Sequence, residues 1–344
     1  MVQIPNTSAA STPAQRSVPT SADVARLAGV SRATVSYVLN NTSAVRISEP
    51  TRRRVHQAAK ELGYVPHAAA RSLRAGHSRI VLLPAPAVPV GSLYSQFISD
   101  LQGALGRLDY TVVHYGTAGL RGDDAARAWA ELRPVAVIVP GPGLGAEGVA
   151  VLKRSGARAV VTLGPERLEG AHTLLMDHEA IGHRAVEHLR VRGRRRLGIV
   201  VPEEPGLEIF SRPRLAGARR ALRGTDATLT ELPLAYDEES AARLAARRRE
   251  LRIDGVFAFN DEYAMLLMRA LQDDGVRIPE DTAVIGADDL TLGRLLRPRL
   301  STVRLEVPSG RELAELVDRA VRDPGAAPET YRVLDSAVVH RESS

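Results

Sequence analysis

Residues 21–40 read SADVARLAGVSRATVSYVLN. The spacing predicts two short helices joined by a tight turn. Thr20 or Ser21 can cap the first helix, and Asp23 in its first turn places a negative charge where the helix dipole favours one. Val24, Leu27 and Ala28 fall at i, i+3 and i+4, which makes one apolar stripe. Gly29 follows where the chain must reverse, a position suited to a residue that tolerates positive φ. Ser31 can cap the second helix, whose buried face is Val35, Val38 and Leu39. Arg32, Ala33, Ser36 and Tyr37 are left facing out. A helix whose first turn offers Ser31, Arg32 and Thr34 to solvent carries donors for phosphates and base edges, as a DNA major groove requires. The alternative at this point is a surface helical hairpin without a partner.

Working outward, residues 47–63 (ISEPTRRRVHQAAKELG) predict a third helix. Ser48 can cap it, Pro50 fits its first turn, and Gly63 stops it. Val55, Ala58, Ala59 and Leu62 form its apolar face. With Val24, Leu27, Val35 and Val38 they make a minimal three-helix core. Arg52, Arg53 and Arg54 can reach phosphates or stand as a solvated charge run. Residues 1–78 hold ten cations against three anions, a net +7, while residues 79–344 hold 36 against 37. A basic module on a near-neutral body is the electrostatic footprint of a polyanion binder. A coding bias explains arginine over lysine but not this segregation.

Residues 64–76 (YVPHAAARSLRAG) follow. Pro66 can start a helix, the alanines propagate it and Gly76 ends it. A helix this short is marginal alone, and the exposed Leu73 is out of place in a linker. From residue 78 the pattern becomes alternating β and α. Strands are expected at 79–83, 111–115, 135–139, 159–163, 173–176, 197–201, 230–234, 255–259, 283–285, 301–305 and 338–340. Amphipathic helices are expected between them, at 94–108, 124–132, 145–154, 179–190, 214–223, 238–250, 261–274 and 309–322. Apolar strands alternating with helices imply parallel sheets covered on both faces. Two such series imply two lobes, with a ligand at the carboxyl ends of the strands in the cleft between them.

The 344 residues suit two or three domains, and 44% hydrophobic with 25% charged residues suits sizeable cores and solubility. With no cysteine, disulfides, zinc–thiolate sites and a cysteine nucleophile are excluded, and a reducing compartment fits. Residues 1–19 are polar and rich in Pro, Ser and Thr, and read as a disordered tail rather than a signal peptide. The longest apolar run, 80–91, is broken by Pro84, Pro86 and Pro89, so no membrane span is expected and the cytoplasm is the default.

At this point the chain resembles the lactose-repressor (LacI/GalR) family of bacterial transcription regulators. The resemblance is carried by ADVARLAGVSRATVSYVLN (22–40), TRRRVHQAAKELGYVP (51–66), AARSL (69–73), RLAGARRAL (214–222), FNDEYAMLLMRALQDDGVRIPEDTAVIGADD (259–289) and PRLSTVRLE (298–306), and it covers almost everything from Thr20 on. It implies an N-terminal helix-turn-helix domain (20–65), a hinge helix (66–77) and a two-lobed periplasmic-binding-protein-like α/β effector domain (78–344). Lobe 1 is then about 78–176 plus 305–334, and lobe 2 about 177–304 plus 335–344. It implies base reading by Arg32, Ala33 and Tyr37, phosphate contacts from Ser31, Thr34 and Asn40, and a hinge helix that inserts Leu73 into the minor groove beside small Ala70. An apolar wedge that kinks the duplex is physically sound. For the effector it implies Arg214, Tyr236, Asn260 and Asp288, a set suited to polyol hydroxyls. Asp288 as a loop cap and Tyr236 as core are the plain alternatives.

The first lobe departs from the family pattern. Residues 84–90 (PAPAVPV) offer no polar side chain until Ser92, and Gly164-Pro165 stands where an aspartate is usual. The first-lobe half of the pocket is therefore expected to be apolar, which favours a glycoside, a less polar ligand or no effector over a simple sugar. Gly141-Pro142-Gly143-Leu144-Gly145 lacks the Lys-Ser/Thr of a phosphate loop. His178, His183 and His188 do not stack on one helical face, so no metal is expected. Asp288 and Asp289 are adjacent and point apart, so they are no acid/base pair. The expectation is a repressor and not an enzyme, without cofactor. Its partners are double-stranded operator DNA and a carbohydrate-like small molecule, it acts as a homodimer rather than a tethered tetramer, and it has no membrane partner. The rivals are an effector-independent regulator and a ligand-binding protein without regulatory role.

Overall fold

The computed structural model of the protein describes residues 18–39, 45–65, 76–85, 91–116, 119–141, 143–333 and 336–344. Asn40, the expected hinge residues Ala70 and Leu73, residues 86–90 of the apolar turn and nearly all of the expected tail lie outside the described residues. The chain divides into two units, Met1–Ser78 and Arg79–Ser344.

In the first unit, α1 (Ser21–Ala28), α2 (Arg32–Leu39) and α3 (Glu49–Leu62) form the three-helix module. A capping box starts α1: Thr20 accepts from the Asp23 amide while the Asp23 carboxylate accepts from the Thr20 amide. Gly29, at φ 64°, ends it in the left-handed region that an L side chain disfavours. Ser31 Oγ accepts from the Thr34 amide at 3.0 Å and so caps α2. Pro50 stands in the first turn of α3, but Ser48 makes no cap bond; its Oγ meets Thr51 Oγ1 at 3.0 Å. Val24, Ala25, Ala28, Val35, Val38, Val55, Ala58 and Ala59 are buried together. Leu27 departs from expectation at 48% exposed. Helix α3 packs on the Val24–Ala25–Ala28 side of α1, which turns the apolar stripe by one position and leaves Leu27 outside it.

The second unit contains two six-stranded sheets. The first holds β1 (Ile80–Pro84), β2 (Thr111–Tyr115), β3 (Ala136–Pro140), β4 (Ala159–Gly164), β5 (His172–Met176) and β11 (Thr330–Val333), in the order β11-β5-β4-β3-β1-β2, all parallel. The second holds β6 (Arg196–Pro202), β7 (Thr228–Leu234), β8 (Gly255–Phe257), β9 (Ala283–Ala287), β10 (Ser301–Leu305) and β12 (Ser336–Val339). Its order is β12-β10-β9-β8-β6-β7, and only the pairing of β12 with β10 is antiparallel.

Consecutive strand residues feed opposite faces, as the pleat requires. Val81 and Leu83 join Leu101, Leu105, Leu313 and Val317 on one side of the first sheet, while Leu82 joins Trp129 and Leu152 on the other. The covering helices are α4 (Ser92–Arg107), α5 (Gly122–Glu131), α6 (Ala146–Arg154) and α11 (Gly310–Arg322). Around the second sheet lie α7 (His178–Val191), α8 (Glu208–Ala221), α9 (Glu238–Leu251) and α10 (Asp261–Asp273). The chain passes between the sheets three times: from β5 into α7, from β10 into α11, and from β11 to β12. Helix α11 packs on α4, and Gly310 permits the contact, since a Cβ there would lie 2.3 Å from the Leu101 amide nitrogen.

Two elements differ from expectation. Helix α8 begins at Glu208, not near 214, and runs through Pro213 within its second turn. Strand β11 pairs in parallel with β5 where no strand was expected. In each sheet the strand order reverses at one point, between β1 and β3 and between β6 and β8, and these are the places where open α/β sheets form crevices.

Candidate functional site

The first candidate surface is the outward side of α2. Val35 and Val38 are 1% and 2% exposed and fix the helix on the module's core. Ser31, Arg32 and Ala33 are then exposed, Thr34 is half-buried, and Tyr37 is 37% exposed. Arg53 and Arg54 are exposed at the start of α3. The module thus presents a guanidinium, a methyl, a hydroxyl and a phenol from one two-turn helix.

The second candidate is built at the carboxyl ends of β6, β8 and β9. Arg214 projects from α8 and is 5% exposed. Its Nη1 donates to the Phe259 carbonyl, just past β8, and its guanidinium lies 4.6 Å from the centroid of the Phe259 ring. Its Nη2 is 3.5 Å from His178 Nδ1. Burial, reinforced by the neighbouring Arg214 charge, holds the His178 imidazole down at about 3. His178 is therefore neutral, and since arginine can only donate, Nδ1 is the acceptor and the ring proton sits on Nε2. Arg214 Nε has no hydrogen-bond partner among the described residues. Burial also lowers the Arg214 pKa, against the pull of Asp288 and Asp261.

Asp288 follows β9 with φ 107°, and its amide donates to the Val303 carbonyl at 2.9 Å. Burial pushes its carboxyl up to about 6, with Arg214 pulling it back and Glu262 adding to the rise. Asp261 is fully buried beside it. It accepts from Thr302 Oγ1 at 2.6 Å and the Leu290 amide at 2.7 Å, and burial pushes it up to about 7 in spite of both bonds. Asp289 pairs with Arg341 and, at 3.2 Å, with Arg294. Asn260 is the N-cap of α10, its Oδ1 accepting from the Tyr263 amide at 3.0 Å. Phe259 joins the site to a short aromatic run: its ring lies 5.4 Å from Tyr263, which lies 5.1 Å from Tyr236. Glu204, past the end of β6, accepts from the Tyr263 hydroxyl and the Tyr236 amide.

Of the four cleft residues expected from sequence, Arg214, Asn260 and Asp288 come together around Phe259. Tyr236 stands at the far end of the aromatic run and is 54% exposed, so it is not a core residue. Asn260 has a structural role as a helix cap in addition to any other. The sequence reading missed His178, Phe259, Glu204 and Asp261. In the sequence His178 stands out only by its spacing to His183 and His188, and among the described residues no group of side chains could hold a metal ion. No helix among the described residues is long and apolar enough to cross a membrane.

At the ends of the first-lobe strands the described residues are Pro84 and Ala85 at β1, Gly141 after β3, and Gly164 and Pro165 at β4, all without a polar side chain, while Ser92 follows at the start of α4. The lobes approach at Gly141, where an added Cβ would lie 3.8 Å from Ile209 Cδ1. Ser92, at the start of α4, donates its amide and its hydroxyl to Glu262 Oε1 at 3.1 and 2.8 Å.

Residues 20–67 match the profile of the bacterial regulatory proteins of the lacI family, and residues 186–344 that of the periplasmic binding protein-like domain. An HTH-type transcriptional repressor, PurR of Vibrio atlanticus (strain LGP32), is 33% identical over 291 residues, 82% of this chain and 85% of that repressor. The lac repressor dimer bound to operator and the anti-inducer ONPF shares the fold with a TM-score of 0.75 at 22% identity, over 95% of this chain and 99% of that one. The regulator CelR in its cellobiose complex gives a TM-score of 0.60 at 26% identity, over 95% and 100% of the two chains. With the reading helix, the two-lobed body and these likenesses in place, the chain belongs to the lacI family of bacterial regulatory proteins and is a DNA-binding transcriptional repressor with an effector-binding body, not an enzyme.

Proposed function

We propose that the protein binds a pseudo-palindromic operator as a homodimer and is controlled by a small molecule in the interlobe cleft. The observation that carries this is the pairing of an exposed Ser31–Arg32–Ala33 turn on a capped helix with a buried, half-satisfied Arg214 beside Asp288. Dimeric assembly follows the lac repressor dimer bound to its operator, since a two-fold protein matches a two-fold site. In each half-site Arg32 makes a bidentate contact to guanine, Ala33 meets a thymine methyl, and Tyr37 reads a further edge. Ser31, Thr34 and Asn40 hold phosphates. In the hinge, Leu73 wedges into the minor groove beside Ala70. In the cleft, Arg214, Asn260 and Asp288 bind hydroxyls and Tyr236 offers a ring face, while the first lobe supplies an apolar wall. That combination favours a glycoside or a carbohydrate with an apolar substituent. The ligand changes the lobe angle and so the DNA-competent population.

The test has two arms. In a binding selection, Arg32→Ala relaxes the preference at one base pair per half-site, a loss of roughly 1–3 kcal/mol of discrimination; equal weakening on every operator variant refutes the role. In a thermal-shift screen of sugars, glycosides and nucleobases, a ligand at a hundred times its Kd stabilises by about 2.7 kcal/mol. A glycoside should shift the wild type and not Arg214→Met. A screen without any shift favours the second reading, an effector-independent regulator, which the Ser92–Glu262 contact across the cleft also supports.

A further inference from the structure

We propose that Glu262 is a built-in bridge, a second-lobe carboxylate that caps the first helix of the first lobe and holds the cleft closed without a ligand. Three observations converge on it. The first turn of a helix leaves backbone N–H groups without intrahelical partners. At α4 the N-cap is Gly91, which has no side chain to satisfy them, and among the described residues no other side chain of its own lobe caps the helix. The group that meets the Ser92 amide is Glu262 Oε1, 170 residues away on α10, and the Ser92 hydroxyl donates to the same oxygen. A carboxylate is the preferred ion at a helix N-terminus.

Gly91 makes room for it. A Cβ on Gly91 would lie 2.7 Å from Glu262 Oε2, closer than non-bonded atoms approach. Yet Gly91 has φ −86°, a backbone that any residue adopts. Its bareness is therefore not required by the turn, and the carboxylate occupies the room it leaves. Helix α10 aims Glu262 from its own first turn, next to Asn260, which caps that helix, and Asp261, which is buried beneath it. The bridge thus grows from the same strand end that builds the Arg214–Asp288 site. In its regulatory consequence it rests on the reading of this cleft as the effector site. A ligand that opens the lobes must outbid the Glu262–Ser92 contact, and one that closes them finds the closed state already populated.

The chain has no cysteine, so a labelled pair can be introduced without background. Arg127 and Arg243, exposed on α5 and α9 with side chains 63% and 60% accessible, are replaced by cysteine in the full chain and spin-labelled. Interlobe distances are then measured by double electron–electron resonance without ligand. With labelled chain diluted in unlabelled chain, so that a dimer carries a single labelled copy, the parent should show one narrow distance. Glu262→Ala should move the closed-to-open ratio by about tenfold, the scale of a partly exposed charge-assisted hydrogen bond. Ser92→Ala, which keeps the amide donor, should move it less, and so should Gly91→Ala, which the Glu262 carboxylate can accommodate by turning its Oε2 aside. Glu262→Gln keeps the length of the side chain and removes its charge, so it decides the matter if Glu262→Ala folds poorly. An unchanged distribution in Glu262→Ala, or in Glu262→Gln where that variant must serve, with unchanged circular dichroism, overturns the bridge. Operator binding by the same unsubstituted chain is scored separately: its absence counts against the regulatory reading, while the distances still decide the bridge.

Discussion

Asp261 shows how one buried carboxylate adds its own slope to the pH response of the body. Burial pushes it up to about 7, and Asp288 to about 6, from an ordinary 3.8. In the unfolded chain both lose their protons near pH 4. Between that pH and about 7 these two carboxyls hold more protons in the native state than in the unfolded one, so their contribution to stability falls as pH rises through this window, while His178, held neutral by burial, acts in the opposite sense below its ordinary 6.5. Below it the penalty is absent, and above it the penalty is complete. For Asp261 it is on the order of a few kcal/mol. Asp261→Asn removes the ionisation but keeps only one of the two acceptor oxygens that serve Thr302 and Leu290. The variant should therefore melt below the wild type at pH 5, where it has lost a hydrogen bond worth about 1 kcal/mol, and recover that difference or reverse it by pH 8. Melting curves that stay parallel across the range refute the assignment of the slope to this residue.

Helices α7 and α8 cross where two glycines take the Cβ away. A Cβ on Gly182 would lie 1.8 Å from the Arg214 carbonyl oxygen, and one on Gly217 would lie 1.9 Å from that of Glu179. Both obstacles are backbone, which cannot turn aside as a side chain can. Gly217→Ala must push the helices apart, and it should cost about 3 kcal/mol, the upper range for overpacking. The denaturant midpoint should fall with an unchanged slope, and Arg214 should lose its register with Phe259. A shift below 1 kcal/mol contradicts the close crossing. The sequence gives no hint of this: an interior helical glycine reads there only as a weakening of about 1 kcal/mol. Other elements were legible to different degrees. The Val/Ile/Leu runs announced the parallel strands, because burial on both faces removes the polar alternation. Pro213 hid the first turns of α8, since it reads as a start or a break. Strand β11, TYRV, is too short and too polar at Arg332 to stand out from a loop. In the cleft, Arg214, Asn260 and Asp288 were visible through the family resemblance. His178 and Phe259 were not, because what brings them beside Arg214 is packing between α7, α8 and the end of β8.

At the scale of the molecule, the charge is divided as the structure is. Residues 1–78 carry a net +7, and residues 79–344 carry 36 cations against 37 anions. Many of the latter are spent on each other, as in Arg190–Glu187, Arg277–Asp281 and Arg299–Glu342. Salt therefore acts on the two units differently. The helical module meets a phosphate backbone, whose condensed counterions are released on binding, and affinity falls with a logarithmic slope of about −0.9 for each phosphate neutralised. The body contributes little to that slope. If each module neutralises about four phosphates and two modules engage, the slope is about −7, and affinity drops by a thousandfold or more between 50 and 200 mM salt. One engaged module gives about half that slope. Operator titrations across that range, read against sedimentation at the same salt, separate the two cases. A slope near −7 from a species of twice the chain mass supports the dimer on two half-sites. A slope near −3.5 assigns binding to a single module. A flat response removes the phosphate contacts from α2 and α3 altogether, and with them the reading of residues 21–40 as the part of the chain that finds DNA.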